Sequence, residues 1–154
     1  EECPGVTQQL EWAKSQGYPM SVVSTSAKPR VVASIIKTNL MRFFKEEQVY
    51  SAATSLNPPS SKPDPAIYLH ACKELGVEPH EVLTVEDSKS GATAAMRAGI
   101  PCIAYGGIYG LEEGPEKMKQ MAKVLTEDTK CAAVMYDWKE FPDCVKKIEQ
   151  NLKI

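Results

Sequence analysis

Runs of basic residues are missing from this sequence. Its 18 Lys and Arg are offset by 20 Asp and Glu, for a net charge of -2. With no clustered positive field to meet phosphates, a nucleic-acid surface is disfavoured, while a small anionic ligand remains compatible. Nothing approaches the roughly 18 consecutive apolar residues of a membrane span. The cysteines number five, an odd count with no two at metal-ligand spacing. They read as scattered thiols of a reducing compartment, with the cytoplasm as the expected location, and not as a disulfide framework or zinc site. Internal repeats and low-complexity tracts are absent. The opening "EECPGV" carries neither an initiator Met nor a signal pattern. That leaves room for a natural N-terminus outside this sequence and makes a missing targeting signal uninformative.

What is there suits one domain: 154 residues, 43% apolar and 25% charged, enough for a single sizeable core. Helix and strand signatures alternate. Val6, Leu10 and Ala13 recur near helical spacing before Gly17, and "MSVVS" (20–24) follows as a strand. A helix is expected from about Pro29 to Leu40, then a short strand in "QVYSAA". "NPPSSKPDP" (57–65) is a rigid proline-rich loop. Asp64 and Pro65 open a helix whose Ile67, Tyr68, Ala71, Cys72 and Leu75 share a face, closed by Gly76. The strand "EVLTVE", a helix over 92–98 closed by Gly99, the strand "PCIAYGG", a helix over 115–124, the strand "CAAVMY" and a helix over 140–152 complete the pattern. Strands joined by helical crossovers imply a Rossmann-like parallel sheet covered on both faces, an α/β fold. Ligands of such sheets bind beyond the carboxyl ends of the strands. That is where Ser24, Thr25 and Ser26, Lys62, and Glu86 with Asp87 collect.

Each of these has two readings. Two adjacent carboxylates at a strand end suit a hard cation, which takes oxygen ligands and cancels their repulsion. Equally, Asp87 or Ser88 could cap the helix that follows. The hydroxyls after "MSVVS" can donate to phosphate oxygens or cap the next helix. Lys62 taken alone is a solvated surface lysine.

In combination, the order of hydroxyl after strand, Lys-Pro-Asp-Pro before a helix, and Glu-Asp-Ser after a strand resembles the haloacid dehalogenase-like (HAD) superfamily. The closer likeness is to its beta-phosphoglucomutase and small sugar-phosphate phosphatase branch. "SSKPDPAIYLHACKELGVEPHEVLTVEDSKSGATAAMRAGIPCIAYGG" resembles that branch's third and fourth motifs, and "MSVVSTS" its second. The likeness is strong through residues 60–107 and weaker beyond Gly110. It implies a magnesium-dependent phosphatase or phosphomutase of a small phosphorylated metabolite. In that frame Ser24 and Thr25 bond the phosphoryl group, Lys62 neutralises phosphate and nucleophile charge, and Asp87, supported by Glu86, holds Mg2+. A receiver-like signalling domain also uses acids, a hydroxyl and a lysine, but in the order acids, hydroxyl, lysine; here the order is hydroxyl, lysine, acids.

The family's first motif, a strand ending in Asp-x-Asp-Gly that supplies the attacking aspartate, has no counterpart here. The nearest segment, "AAVMYDWKEF", has Lys139 in place of the second acid and no glycine after it, so Asp137 reads as a chance acid after the last core strand. The cap domain that follows the first motif is also without counterpart. By resemblance the missing strand lies between "MSVVS" and "VLTVE". At a strand spacing of about 4.8 Å its absence opens a slot of nearly 10 Å. The expectations are therefore a single core domain over 1–154, incomplete and inactive alone, with Mg2+ held weakly. The two flanking strands would close on each other, or the slot would be filled by another chain, by a segment of this one, or by a missing N-terminal segment. A fragment of a longer protein is favoured over a self-sufficient domain, and a non-catalytic phosphate-binding or regulatory module is the alternative.

Overall fold

The computed structural model describes residues 1–152. Five short strands, β1 (Val22–Ser24), β2 (Val49–Ser51), β3 (Thr84–Glu86), β4 (Cys102–Tyr105) and β5 (Ala133–Met135), alternate with helices. These are α1 (Val6–Ser15), α2 (Lys28–Lys37), α3 (Ala66–Leu75), α4 (Lys89–Ala98), α5 (Gly107–Glu112), α6 (Pro115–Glu127) and α7 (Phe141–Leu152). Every strand pair is parallel, as crossover connections require.

Local chemistry explains most boundaries. The Asp64 carboxylate accepts the Ala66 N–H at 2.8 Å and so starts α3. That bond, followed by the Ser60 hydroxyl, holds the Asp64 carboxyl below its ordinary value. Gly76 and Gly99, at φ 68° and 78°, end α3 and α4 in the left-handed conformation. Three differences from the sequence expectations have physical causes. Helix α4 begins at Lys89, before Ala92, because Ser88 caps it by accepting the Gly91 N–H at 3.1 Å. Helix α2 stops at Lys37 because the chain turns through left-handed Asn39 (φ 59°) into a 3₁₀ turn, Met41–Phe43. Helix α5, in a segment with no helical period, forms where glycine allows close approach. A Cβ at Gly107 would lie 2.5 Å from the Tyr136 carbonyl oxygen.

Strand β4 serves two cores by alternation. Cys102 and Ala104 pack with Ala92 and Ala95 of α4 and Leu125 of α6. Ile103 and Tyr105 pack with Cys144, Val145 and Ile148 of α7 on the opposite face. A third cluster joins Tyr50 and Ala52 to Ile67 and Ala71 of α3. Both faces of the sheet are therefore covered, which is what lets parallel strands be apolar throughout.

The sheet itself is divided. Strands β1 and β2 form one ladder, and β3, β4 and β5 form another in that order; β1 is not hydrogen-bonded to β3. Burial follows the division: β2 and β4 are buried along their whole length, whereas β1 is half-buried throughout and β3 is buried only at Glu86. In an undivided sheet covered on both faces, the innermost strands would be the most buried. The seam is thus exposed where a strand partner would lie. On β1, the Ser24 carbonyl accepts the Ala52 N–H on the β2 side at 2.8 Å. Because successive peptide groups of a parallel strand point to opposite sides, the Val23 carbonyl points into the seam. On β3, the Thr84 N–H bonds the Pro101 carbonyl on the β4 side at 3.0 Å, so the Val85 peptide groups face the seam likewise. The two ladders do not close onto each other, and no described strand lies between them. A side chain bridges them instead, since the Lys62 ammonium donates to the Val23 carbonyl at 3.0 Å and to the Glu86 carboxylate at 2.5 Å.

Hydrogen exchange on the chain alone tests the division. The Val85 amide should exchange at least about tenfold faster than those of Ile103 and Ala104 on the doubly flanked β4, because only the latter sit in complete ladders. Equal protection would mean that the seam is closed.

Candidate functional site

The carboxyl ends of β1 and β3 are where the polar residues gather, and Lys62 is their meeting point. Its side chain is 9% exposed and that of Glu86 10%, so this is a buried ion pair and not the solvated lysine expected of the residue taken alone. The ammonium also lies 4.8 Å from the centre of the Tyr68 ring, within cation–π range. Its loop is held by one local bond, from the Ser60 hydroxyl to Asp64 at 2.8 Å, and by one from α4, where the Arg97 guanidinium donates to the Pro63 carbonyl at 3.3 Å.

Glu86 is shared between two donors. Its carboxylate accepts from Lys62 and from the Tyr68 hydroxyl, which also bonds the Thr84 hydroxyl at 2.9 Å. Burial, then the adjacent Glu86 charge, push the Tyr68 phenol far above its ordinary value, so Tyr68 stays a neutral donor. The carboxylate rests on the first turn of α4. There a Cβ at Gly91 would come within 1.9 Å of Glu86 Oε2, so the glycine creates the space that the acid occupies.

Asp87, one residue on, is exposed. Its backbone carbonyl is held by the Tyr109 hydroxyl of α5 at 2.6 Å, and among the described residues its carboxylate has no hydrogen-bond partner. The two adjacent acids are thus separated by function: one is bound into the seam, the other faces solvent. Neither caps α4, a task that falls to Ser88.

Ser24, at the end of β1, accepts the Ser26 N–H at 3.1 Å; Thr25 is exposed beside it. None of these hydroxyls caps α2. Its N-cap is Ala27, and the Lys28 N–H is met by the Thr54 hydroxyl at 3.1 Å, from the turn after β2. That turn is braced by Ser51, whose hydroxyl donates to the Ser26 carbonyl at 2.6 Å.

Lys62, Glu86 and the end of β1 are thereby in contact, and Ser24 and Asp87 flank them along the chain. Among the described residues no group of three or more His, Cys, Asp or Glu side chains is gathered to hold a metal ion. Asp137 is occupied elsewhere. It accepts the Lys139 N–H at 2.9 Å, while Glu140 accepts the Tyr136 and Asp137 N–H groups at 2.8 Å each. It is a capping acid of the 3₁₀ turn Trp138–Glu140, which corrects its reading as a chance one. Tyr68 and Tyr109 are the residues that pattern reading missed. Tyr68 was visible only as part of an apolar helix face, and Tyr109 lies on a helix without a period.

Among known proteins, the profile described as haloacid dehalogenase-like hydrolase matches residues 1–105, the stretch that carries all five candidate residues. A phosphorylated carbohydrates phosphatase of Thermotoga maritima is 32% identical over 127 residues, 82% of this chain and 56% of its own length. A phosphoglycolate phosphatase of Nitrosococcus oceani is 35% identical over 111 residues, 71% of this chain and 47% of its own. The chain therefore spans about half the length of these curated relatives. In crystal structures, a conserved haloacid dehalogenase-like protein of unknown function from Agrobacterium tumefaciens is similar at a TM-score of 0.78 and 26% identity, over 95% of this chain and 60% of that one.

The ion pair gives a quantitative test. Lys62→Met leaves Glu86 buried without its cation and should cost about 3–5 kcal/mol, read as a lower urea midpoint. Adding Glu86→Gln should restore part of that loss, with a coupling energy of about 1–3 kcal/mol. A loss under about 0.5 kcal/mol for Lys62→Met would place the pair at the surface in solution.

Proposed function

The chain belongs to the haloacid dehalogenase-like hydrolase family, and from that premise we propose that it is the core portion of a magnesium-dependent phosphatase or phosphomutase. Its substrate would be a small phosphorylated metabolite such as a sugar phosphate. The observation that carries this reading is the Lys62 ammonium, held between the carboxyl ends of β1 and β3 beside an open seam. A cation so fixed has lost its freedom before substrate arrives, so its charge is available to a phosphoryl group without reorganisation.

Ser24 and Thr25 would donate to phosphoryl oxygens from the end of β1. Lys62 would offset the charge gathering on the transferring group. Glu86 and Tyr68 act through Lys62 by fixing its position. Asp87 suits magnesium, because it is a solvent-facing oxygen donor without a side-chain partner among the described residues, whereas the Glu86 carboxylate is already taken by two donors. Magnesium held at Asp87, with further oxygen ligands from outside the described residues, would supply charge neutralisation. Phosphoryl transfer also needs a nucleophile in line with the leaving oxygen. None of the described acids stands in the seam free to attack: Glu86 is paired and Asp137 is a cap. The attacking aspartate would arrive on a strand entering between β1 and β3, and the chain by itself is inactive.

Turnover of an aryl phosphate with Mg2+ is the test. The chain alone should show none above background. A synthetic apolar strand ending in Asp-x-Asp-Gly should restore it. The restored rate should fall at least about 100-fold with Lys62→Met or Asp87→Asn and stay unchanged with Asp137→Asn. Activity of the chain alone that is lost with Asp137→Asn would overturn the reading. Phosphate binding without turnover, even with the strand present, would favour a non-catalytic phosphate-binding module.

A further inference from the structure

Five cysteines scattered through the sequence do not stay scattered in space. Cys102 opens β4, and Cys131 stands two residues before β5. The chain between them is drawn together by the Ala132 N–H, which donates to the Cys102 carbonyl at 2.8 Å. Both side chains turn into the cluster beneath α4 and α6, which makes the two cysteines neighbours there. Cys102 is buried and Cys131 half-buried, so the second is the more accessible of the two. The Thr129 hydroxyl lies 3.7 Å from the Cys131 sulfur. The neighbouring Cys131 thiol, then burial, raise the Cys102 thiol, while Cys102 in turn holds the Cys131 thiol below its ordinary value.

We propose that Cys102 and Cys131 form a reversible oxidation site that a peroxide converts to a disulfide. The Cys131 sulfur attacks the O–O bond, becoming a sulfenic acid as the first water leaves. The Cys102 sulfur then attacks the sulfenic sulfur, the S–S bond forms, and the hydroxyl departs as the second water. Two electrons and two protons pass from the dithiol to the peroxide, which is reduced to two waters. The bond ties β4 to the turn between α6 and β5. Cys102 pairs in register with Thr84, whose hydroxyl bonds Tyr68, so the cross-link lies in the wall behind the Lys62 cluster. In a reducing compartment such a bond is transient and chemically reversible.

The test treats the folded, reduced protein with hydrogen peroxide at stoichiometric levels and maps peptides without reduction. The expected result is a loss of 2 Da through linkage of the tryptic peptides Ala98–Lys117 and Cys131–Lys139. With it should come a rise in Tm of roughly 5–10 °C, reversed by dithiothreitol. Cys131→Ser, at the less buried position, should abolish both changes; the wild-type peptide map stands even if that variant folds poorly. Conversion of Cys131 to sulfinic acid without linkage, linkage of either cysteine to Cys3, Cys72 or Cys144, or a Tm rise that survives Cys131→Ser would overturn the proposal.

Discussion

A buried ion pair bridges the two ladders of this sheet, alongside the packing of Val23 against the core beneath α4. Lys62 and Glu86 are both removed from water, which costs several kcal/mol per ion unless close geometry and further hydrogen bonds compensate. Here they do: the ammonium has a second acceptor in the Val23 carbonyl and a ring face in Tyr68, and the carboxylate has a second donor in the Tyr68 hydroxyl. Gly91 is part of the same constraint, because any side chain there would occupy the carboxylate's place. Remove one partner and the other is left as an uncompensated charge in a seam that no strand covers among the described residues.

That constraint organises the carboxyl edge. Glu86 is committed to the seam, so Asp87 alone presents a carboxylate to solvent, and its backbone is fixed from the far side by Tyr109. Two adjacent acids can coexist at a strand end because alternation turns their side chains apart and the lysine cancels one charge. On the other ladder, Ser51 and Thr54 brace the start of α2 from the turn after β2, which leaves Thr25 without a capping task. Hydroxyl, cation and acid therefore reach one edge by three independent routes through the chain.

The exposed seam also explains an uneven core. Strands β2 and β4 are packed on both faces, while Val22 and Val23 of β1 and Val85 of β3, which are as apolar, remain half-buried. Apolar side chains do not lose their tendency to be covered because a ladder partner is absent. The half-burial marks a surface suited to one more parallel strand, with peptide groups of Val23 and Val85 aimed at it.

The alternation of elements, the parallel connections, the helix ends at Gly76 and Gly99 and the Asp64 start of α3 could all be read from the sequence. Each depends on local rules of period, capping and backbone freedom that act within a few residues. The likeness of residues 60–107 to a known family was equally legible, since motif spacing along a chain needs no coordinates. Long-range contacts were not legible. No local rule says that Lys62 is buried, that Glu86 is its partner while Asp87 is not, that Tyr68 closes the cluster, or that Cys102 and Cys131 are neighbours. Asp137 looked incidental because its capping box depends on Glu140 folding back in a 3₁₀ turn. Helix α5 escaped notice because close packing on Tyr136, and not an apolar period, makes it a helix. The sequence by itself determined the strands, the long helices and their order. Only the tertiary structure decided which charges are paired, because pairing depends on strands and loops meeting across 39 residues from Val23 to Lys62 and 24 from Lys62 to Glu86.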